Sequence, residues 1–161
     1  MPHSHRSTGF TLVELIITIV ILAILASVAV PSFVEVIRNN RVTAQANELL
    51  TTLLLARSEA VKRKSEVSVL IDTVGGGWRA RVCVEADCPG ATDPIRDVNY
   101  IGSPVDVTLP DSDPITFDSM GRSSLALMQI TLTHNPCNHR QSRSIQVSAA
   151  GRPSIIPLDC P

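Results

Sequence analysis

Aromatic side chains make up only 3% of the 161 residues, and the formal net charge is −1 with a sequence pI near 6.4. So few rings leave little surface on which bases could stack, and a charge this balanced provides no overall attraction for a nucleic acid. Also missing are a nucleophile elbow, a phosphate-binding loop and any common metal-ligand spacing. The expectation is a protein with no catalytic residue, no metal and no cofactor, and so not an enzyme. Internal repeats and low-complexity tracts are absent too.

Most of the hydrophobicity lies in one stretch. Phe10–Val30 carries a single charge, Glu14. As a helix rising 1.5 Å per residue it is about 31 Å long, enough to cross the hydrocarbon core of a bilayer. A removable secretory signal is the competing reading, with Ala26-Ser27-Val28-Ala29-Val30 as its cleavage region. Such signals have apolar cores of roughly 7–15 residues. This run is longer, holds a carboxylate near its start and passes without a turn into more helix. Arg6 precedes the span while Arg38 and Arg41 follow it, so flanking charge does not set its orientation.

Residues 31–64 continue the helix in amphipathic form. Val42, Ala46, Leu49, Leu50, Leu53, Ala56 and Ala60 recur at three- and four-residue steps and make one apolar stripe. Arg41, Gln45, Glu48, Thr52, Glu59 and Lys62 are expected on the opposite side. Glu59 stands three and four residues before Lys62 and Arg63, a supportive surface spacing. Joined to the span, this predicts one helix of roughly 55 residues and 80 Å. Pro31 is its internal breaker and is expected to kink it near Ala26–Val30.

Beyond Lys64 the period changes to two. Val67, Val69 and Ile71 alternate, Asp72–Gly77 makes a turn, and Trp78, Ala80, Val82 and Val84 alternate again, with Arg79, Arg81 and Cys83 on the other face. This predicts a β-hairpin. Residues 85–104, rich in Asp, Pro and Gly, read as loop. Further strands are expected at Val105–Leu109, Ile115–Phe117, Leu125–Thr133, Ser144–Ser148 and Ile155–Leu158, with a bulge between Leu127 and Met128 where the alternation slips. The fold class is α+β, a long N-terminal helix whose second half packs on a small antiparallel β-sheet.

The run Gly9-Phe10-Thr11-Leu12-Val13-Glu14-Leu15, followed by the long apolar stretch, resembles the processing motif of type IV pilins and type II secretion pseudopilins. In that family a short leader ends in Gly, a peptidase cleaves before Phe, and the new amine is methylated. The resemblance implies that Gly9 ends a leader, that Phe10 becomes the N-methylated terminus and that Glu14 is the family glutamate. Pro31 falls where these helices usually carry a proline. The implied segments are a prepilin leader at 1–9, a transmembrane and filament-core helix at 10–30, an amphipathic helix at 31–64 and a periplasmic β-sheet domain at 65–161. The leader carries one arginine, Arg6, fewer than many prepilin leaders. Ala56-Arg57-Ser58-Glu59-Ala60-Val61-Lys62-Arg63 looks like the helix end of GspH/FimT-type minor subunits. The turns around Gly121-Arg122 and Gly151-Arg152 are similar to two strand-turn signatures of that group.

A carboxylate in an apolar span costs about 2.5–3.5 kcal/mol at mid-helix and less near the end. Glu14 either reaches the headgroups or, as the resemblance favours, pairs with the Phe10 amine of a neighbouring subunit. Cys83, Cys88, Cys137 and Cys160 all lie in the expected periplasmic domain. An even count in an oxidising compartment reads as two disulfides with three possible pairings. Cys83–Cys88 and Cys137–Cys160 are favoured, because the second ties down a proline-rich C-terminal end. Zinc held by His134, Cys137, His139 and Cys160 is the alternative, on a spacing that matches no common site. Arg140, Arg143 and Arg152 make the C-terminal segment basic; a solvated basic face, or one facing the acidic 85–118 loops of a neighbouring subunit, is the favoured reading, and a phosphate-binding patch is the alternative. Some FimT-type pilins bind DNA through a C-terminal Gly-Arg-x-Arg element. Here it reads Gly151-Arg152-Pro153-Ser154, without the second arginine.

The expected function is that of a minor pilin or pseudopilin that primes or caps filament assembly at the inner membrane. The alternatives are an H-type pseudopilin of a type II secretion system and a DNA-binding pilin for transformation. The implied partners are other minor and major pilins or pseudopilins, the prepilin peptidase and the inner-membrane assembly platform. The chain would be single-pass in the bacterial inner membrane, with its C-terminal domain in the periplasm, and would enter a pilus or pseudopilus.

Overall fold

The computed structural model describes residues 10–84, 94–110, 114–125 and 128–160. Helix α1 (Leu12–Arg63) is followed by β1 (Val67–Thr73), β2 (Trp78–Val84), β3 (Arg96–Tyr100), β4 (Val105–Thr108), β5 (Ile115–Phe117), β6 (Met128–His134), β7 (Ser142–Val147) and β8 (Pro153–Leu158). The chain divides into two compact units, Met1–Ile37 and Arg38–Pro161.

In the first unit, every described side chain is exposed. The apolar window of α1 has a mean hydropathy of 2.8 and none of it is buried within the chain, and its length and composition suffice to cross a membrane. The hydroxyls of Thr18 and Ser27 donate to the carbonyls of Leu15 and Ile24, each at 2.7 Å, so these polar groups are satisfied inside the helix. The helix continues through Pro31.

In the second unit, two four-stranded antiparallel sheets take the place of the single sheet expected. Their orders are β3-β2-β1-β5 and β4-β6-β7-β8. The hairpin forms in the register the alternation predicts, with Val69 opposite Val82 and Thr73 opposite Trp78. Its turn closes by hydrogen bonds between Val74 and Gly77 at 3.0 and 3.1 Å. Gly75 and Gly76 both have positive φ, as this tight hairpin turn requires. Val42, Leu49 and Leu53 of α1 join Val69, Val82, Phe117, Ile130 and Ile145 from the two sheets in one core. Each such aliphatic side chain contributes roughly 1.5–3 kcal/mol on burial.

Three expectations need correction. Residues 85–104 contain strand β3, an edge strand whose Val98 alone is a buried apolar side chain, so the alternation is too thin to stand out. Gln45 and Thr52, expected on the solvent side, are buried. Gln45 accepts from Trp78 Nε1 at 2.8 Å and donates to Ser103 at 2.7 Å, while Thr52 donates to the Glu48 carbonyl at 2.8 Å. Buried polar groups are tolerated when each is paired in this way. The strand expected from Leu125 begins at Met128, and the expected bulge falls partly on residues outside those described.

Candidate functional site

The first turn of α1 is capped from its own sequence. Glu14 N–H donates to Thr11 Oγ1 at 3.2 Å and Leu15 N–H to the Thr11 carbonyl at 3.2 Å. Thr11 is thus the N-cap, and Glu14 is the acidic residue of the first turn, where the helix dipole favours negative charge. The Thr-x-x-Glu spacing of a capping box was legible in the sequence, and it adds a local reason for a carboxylate at this position. Phe10 is exposed just before the cap. Gly9 lies outside the described residues.

At the other end of α1, Arg57 joins the helix to both Gly-Arg turns. Its Nε donates to the Gly121 carbonyl at 2.9 Å and its Nη2 to the Ala150 carbonyl at 3.3 Å. The Gly121 turn is organised by Asp118, whose Oδ1 accepts from the Met120 and Arg122 N–H groups at 2.9 and 2.8 Å. The Arg122 guanidinium completes it at 2.8 Å. These donors, the Arg122 N–H first, hold the Asp118 carboxyl below its ordinary value. The Gly151 turn packs on the first one. Gly151 has φ +70°, and a Cβ there would overlap the Gly121 carbonyl. The three sequence signatures, far apart in the chain, therefore converge on one structural joint. Close by, Glu59 pairs with Arg63 at 2.7 Å and Lys62 at 3.5 Å, and the Arg63 hydrogen bond leads in lowering its carboxyl pKa.

The C-terminal arginines do not gather at one place. Arg143 docks on α1, donating to Asn39 Oδ1 at 2.6 Å and Thr43 Oγ1 at 3.0 Å, and to the Arg140 and Ser142 carbonyls at 2.8 Å. Partial burial lowers the pKa of its guanidinium. Arg140 precedes β7 and faces Asp159 at 3.6 Å. Arg152 precedes β8, whose Pro153 pairs with Val147 at the far end of β7. Six strand residues at about 3.3 Å each put roughly 20 Å of backbone between the Arg140 and Arg152 positions. The phosphate-binding patch is thus divided, with one of its three members occupied in holding the helix.

Cys137 and Cys160 form a disulfide with Cα atoms 5.9 Å apart. The bond takes up both sulfurs that the zinc alternative needed. His134 is buried and its Nδ1 lies 3.2 Å from the Pro136 carbonyl. Cys83 is disulfide-bonded as well. Its expected partner, Cys88, lies outside the described residues.

The family model described as type II transport protein GspH matches residues 45–151, about two thirds of the chain. That of the prokaryotic N-terminal methylation motif matches residues 4–30. Two crystal structures of the type IV minor pilin FimU from Pseudomonas aeruginosa strain PAO1 are similar in fold. One aligns with a TM-score of 0.63 at 19% identity, covering 75% of this chain and 93% of that one. The other gives 0.59 at 20% identity, covering 73% and 96%. No curated protein matches this chain in sequence.

Proposed function

This chain belongs to the GspH family of minor pilins and pseudopilins, and from that premise we propose that it primes filament assembly at the inner membrane. The family is one of structural proteins, not enzymes. Its members serve a type IV pilus or a type II secretion system. The observation that supports a membrane-held subunit entering a filament is the helix from Leu12 to Ile37, which has no buried side chain and one carboxylate in its first turn. An apolar surface of that length needs lipid before assembly and other subunits after it.

In this reading the prepilin peptidase cleaves between Gly9 and Phe10, and Phe10 is N-methylated. Residues 10–30 hold the subunit in the inner membrane with the sheet domain in the periplasm, until the assembly platform moves it into a filament. Glu14 pairs with the Phe10 amine of a neighbour and sets the axial register. The similarity to FimU supports a pilus, and the family description supports the H-type pseudopilin of a secretion system as the second reading. Transformation is not favoured, because Arg140 and Arg152 are separated and Arg143 is engaged.

Intact-mass analysis of the membrane-bound chain tests this. The expected product starts at N-methyl-Phe10 and retains the whole apolar helix. Cleavage near Ala29 would refute the pilin reading. Deleting the gene and scoring pili against secreted protein separates the two systems.

A further inference from the structure

Two tight turns meet near the start of the second unit, and each lifts an aliphatic side chain into solvent. Val74 opens the β1–β2 turn and is 42% exposed, and Ile101 follows β3 and is 52% exposed. Gly102 N–H donates to the Gly75 carbonyl at 3.2 Å, and a Cβ on Gly77 would stand 2.1 Å from the Tyr100 carbonyl oxygen, so the turns are locked together. Gln45 fastens them to α1, through Trp78 at 2.8 Å and Ser103 at 2.7 Å. Both tips are held in place, so a contact made through them orders little new backbone.

Arginines stand at the same end. Arg41 lies one helical turn before Gln45, and with Ala44, Tyr100, Ile101 and Gly102 it lines an open groove of about 490 Å³. Arg38 shares its side of the helix at a three-residue step. Among the described residues neither side chain has a hydrogen bond or ion pair. Arg143 docks beside them on Asn39 and Thr43, and its acceptors are all neutral, so no carboxylate cancels its charge. Glu35 is the one carboxylate of α1 between Glu14 and Glu48. Glu48, Asp72 and Asp97 are paired with Arg96, Arg81 and Arg79.

Sequence distance limits how far these cations can lie from lipid. Arg38 follows Val30 by eight residues, about 12 Å as helix, and Phe33, Val34, Val36 and Ile37 between them are exposed apolar side chains. Helical side chains lean toward the N-terminus of their helix, and an arginine lays its stem on apolar surface while its guanidinium seeks polar groups. The phosphates of a headgroup layer are then within reach.

We propose that this end is a second membrane contact, in which Arg38 and Arg41 hold the phosphate of an anionic phospholipid and Val74 and Ile101 enter the headgroup layer. It rests on the reading that residues 10–30 anchor the chain, and it concerns the subunit before it joins a filament. The planar guanidinium fork suits phosphate oxygens, and cations beside aliphatic tips match a surface that is anionic outside and apolar beneath. A nucleic acid would meet the arginines but leave Val74 and Ile101 without an apolar partner.

The test uses the full-length chain in nanodiscs, with a photo-crosslinking residue replacing Ile101. In discs of phosphatidylethanolamine and phosphatidylglycerol, irradiation is expected to yield lipid adducts on the intact chain, severalfold more than where phosphatidylcholine replaces the phosphatidylglycerol. Combining Arg38→Glu with Arg41→Glu should cut the adduct at least about fivefold, because the leaflet then repels this end. Arg38→Lys with Arg41→Lys should retain it. Trp78 fluorescence should match wild type in both, and if the glutamates disturb it, Arg38→Gln with Arg41→Gln takes their place. Inorganic phosphate should lower the yield no more than sodium chloride at equal ionic strength. A selective loss to phosphate would assign the arginines to the free anion and overturn the headgroup contact. So would no lipid adduct, an adduct with a second copy only, or a yield indifferent to lipid charge or to charge reversal. Alkaline extraction of native membranes tests the anchor separately. A chain that resists extraction but gives no lipid adduct keeps the anchor and loses this contact, whereas a chain that is released has lost the anchor reading itself.

Discussion

Two stretches of α1 solve opposite problems with the same backbone. From Leu12 to Ile37 no side chain is buried, whereas from Val42 to Ala60 eight residues are. In the first stretch the polar groups turn inward, Thr18 and Ser27 bonding to their own helix. In the second, hydroxyls such as Thr52 still bond within the helix, but Gln45 reaches Trp78 and Ser103, and Arg57 reaches two turns. A stretch that buries no side chain in its own unit is stabilised by what surrounds it, while the other stretch carries its partners in the same sequence. It follows that changes in the first stretch should alter assembly without altering the fold of the sheet domain, and changes in the second should do the reverse.

Glu14→Ala is the sharpest way to break that comparison. If the carboxylate pairs with a neighbour's Phe10 amine, its loss leaves a buried cation unpaired, which typically costs about 3–5 kcal/mol. Entry into sheared filaments should fall by roughly a hundredfold or more. Leader cleavage, membrane fractionation and the fluorescence of Trp78, which is buried and the only tryptophan, should stay normal. If the subunit enters filaments at wild-type levels, Glu14 serves only the first turn of the helix or the headgroups.

The first stretch was easier to read than the second. An apolar run with one carboxylate behind a Gly-Phe pair needs no partner to be recognised. The hairpin was also legible, because Gly75 and Gly76 set its turn and the apolar residues Val67, Val69, Ile71, Trp78, Ala80 and Val82 are buried as their alternation predicts, although Cys83 is buried and Val84 exposed against it. Strand β3 was not, since Arg96, Asp97 and Asn99 follow the charges of β2 more than the core, with Asp97 opposite Arg81 and Asn99 opposite Arg79. Gln45 looked like a surface residue because its reason for burial, the indole N–H of Trp78, lies 33 residues away. The basic C-terminal segment likewise read as one patch because sequence proximity hides a hairpin, which sends Arg140 and Arg152 to opposite ends of β7 and β8.

Within the sheet domain, effects should rank by how much chain each contact restrains. Cys137–Cys160 closes a sequence separation of 23 residues. Replacing both cysteines by serine should lower unfolding stability by about 3 kcal/mol in the chain-entropy model. Denaturant titration of the full-length protein in detergent, followed by Trp78 fluorescence, measures this, and membrane insertion should be unchanged. Arg57→Ala removes charged hydrogen bonds that are worth about 1.5–3 kcal/mol. The low end is expected, because the bond to Ala150 is 3.3 Å long and exposed. An unchanged midpoint would show that the two glycine turns hold each other without the helix.

The smallest effect concerns acid. Arg79 forms a two-point ion pair with Asp97 on the outer face of the β3-β2-β1-β5 sheet, with Nε 2.9 Å from Oδ1 and Nη2 on Oδ2. The hydrogen bond from Arg79 is the main cause holding the Asp97 carboxyl below its ordinary value, and Arg79 and Arg81 add their charge. A carboxyl whose pKa is depressed on folding stabilises the fold above its unfolded value, near 3.9, and loses that contribution as pH falls through the folded value. Asp97→Asn removes the titration. Wild type should therefore melt above the variant at pH 5–7, and the gap should shrink as pH falls below the unfolded value and through the depressed folded one. Both side chains are about one third exposed, so solvent and salt screen the pair, and the gap should be smaller than that from Arg57→Ala. It should shrink further as ionic strength rises. Glu14 in the apolar stretch does not bear on this measurement, because Trp78 reports the sheet domain alone. A gap that does not shrink as the pH is lowered would mean that Asp97 acts through packing on its strand and not through its charge.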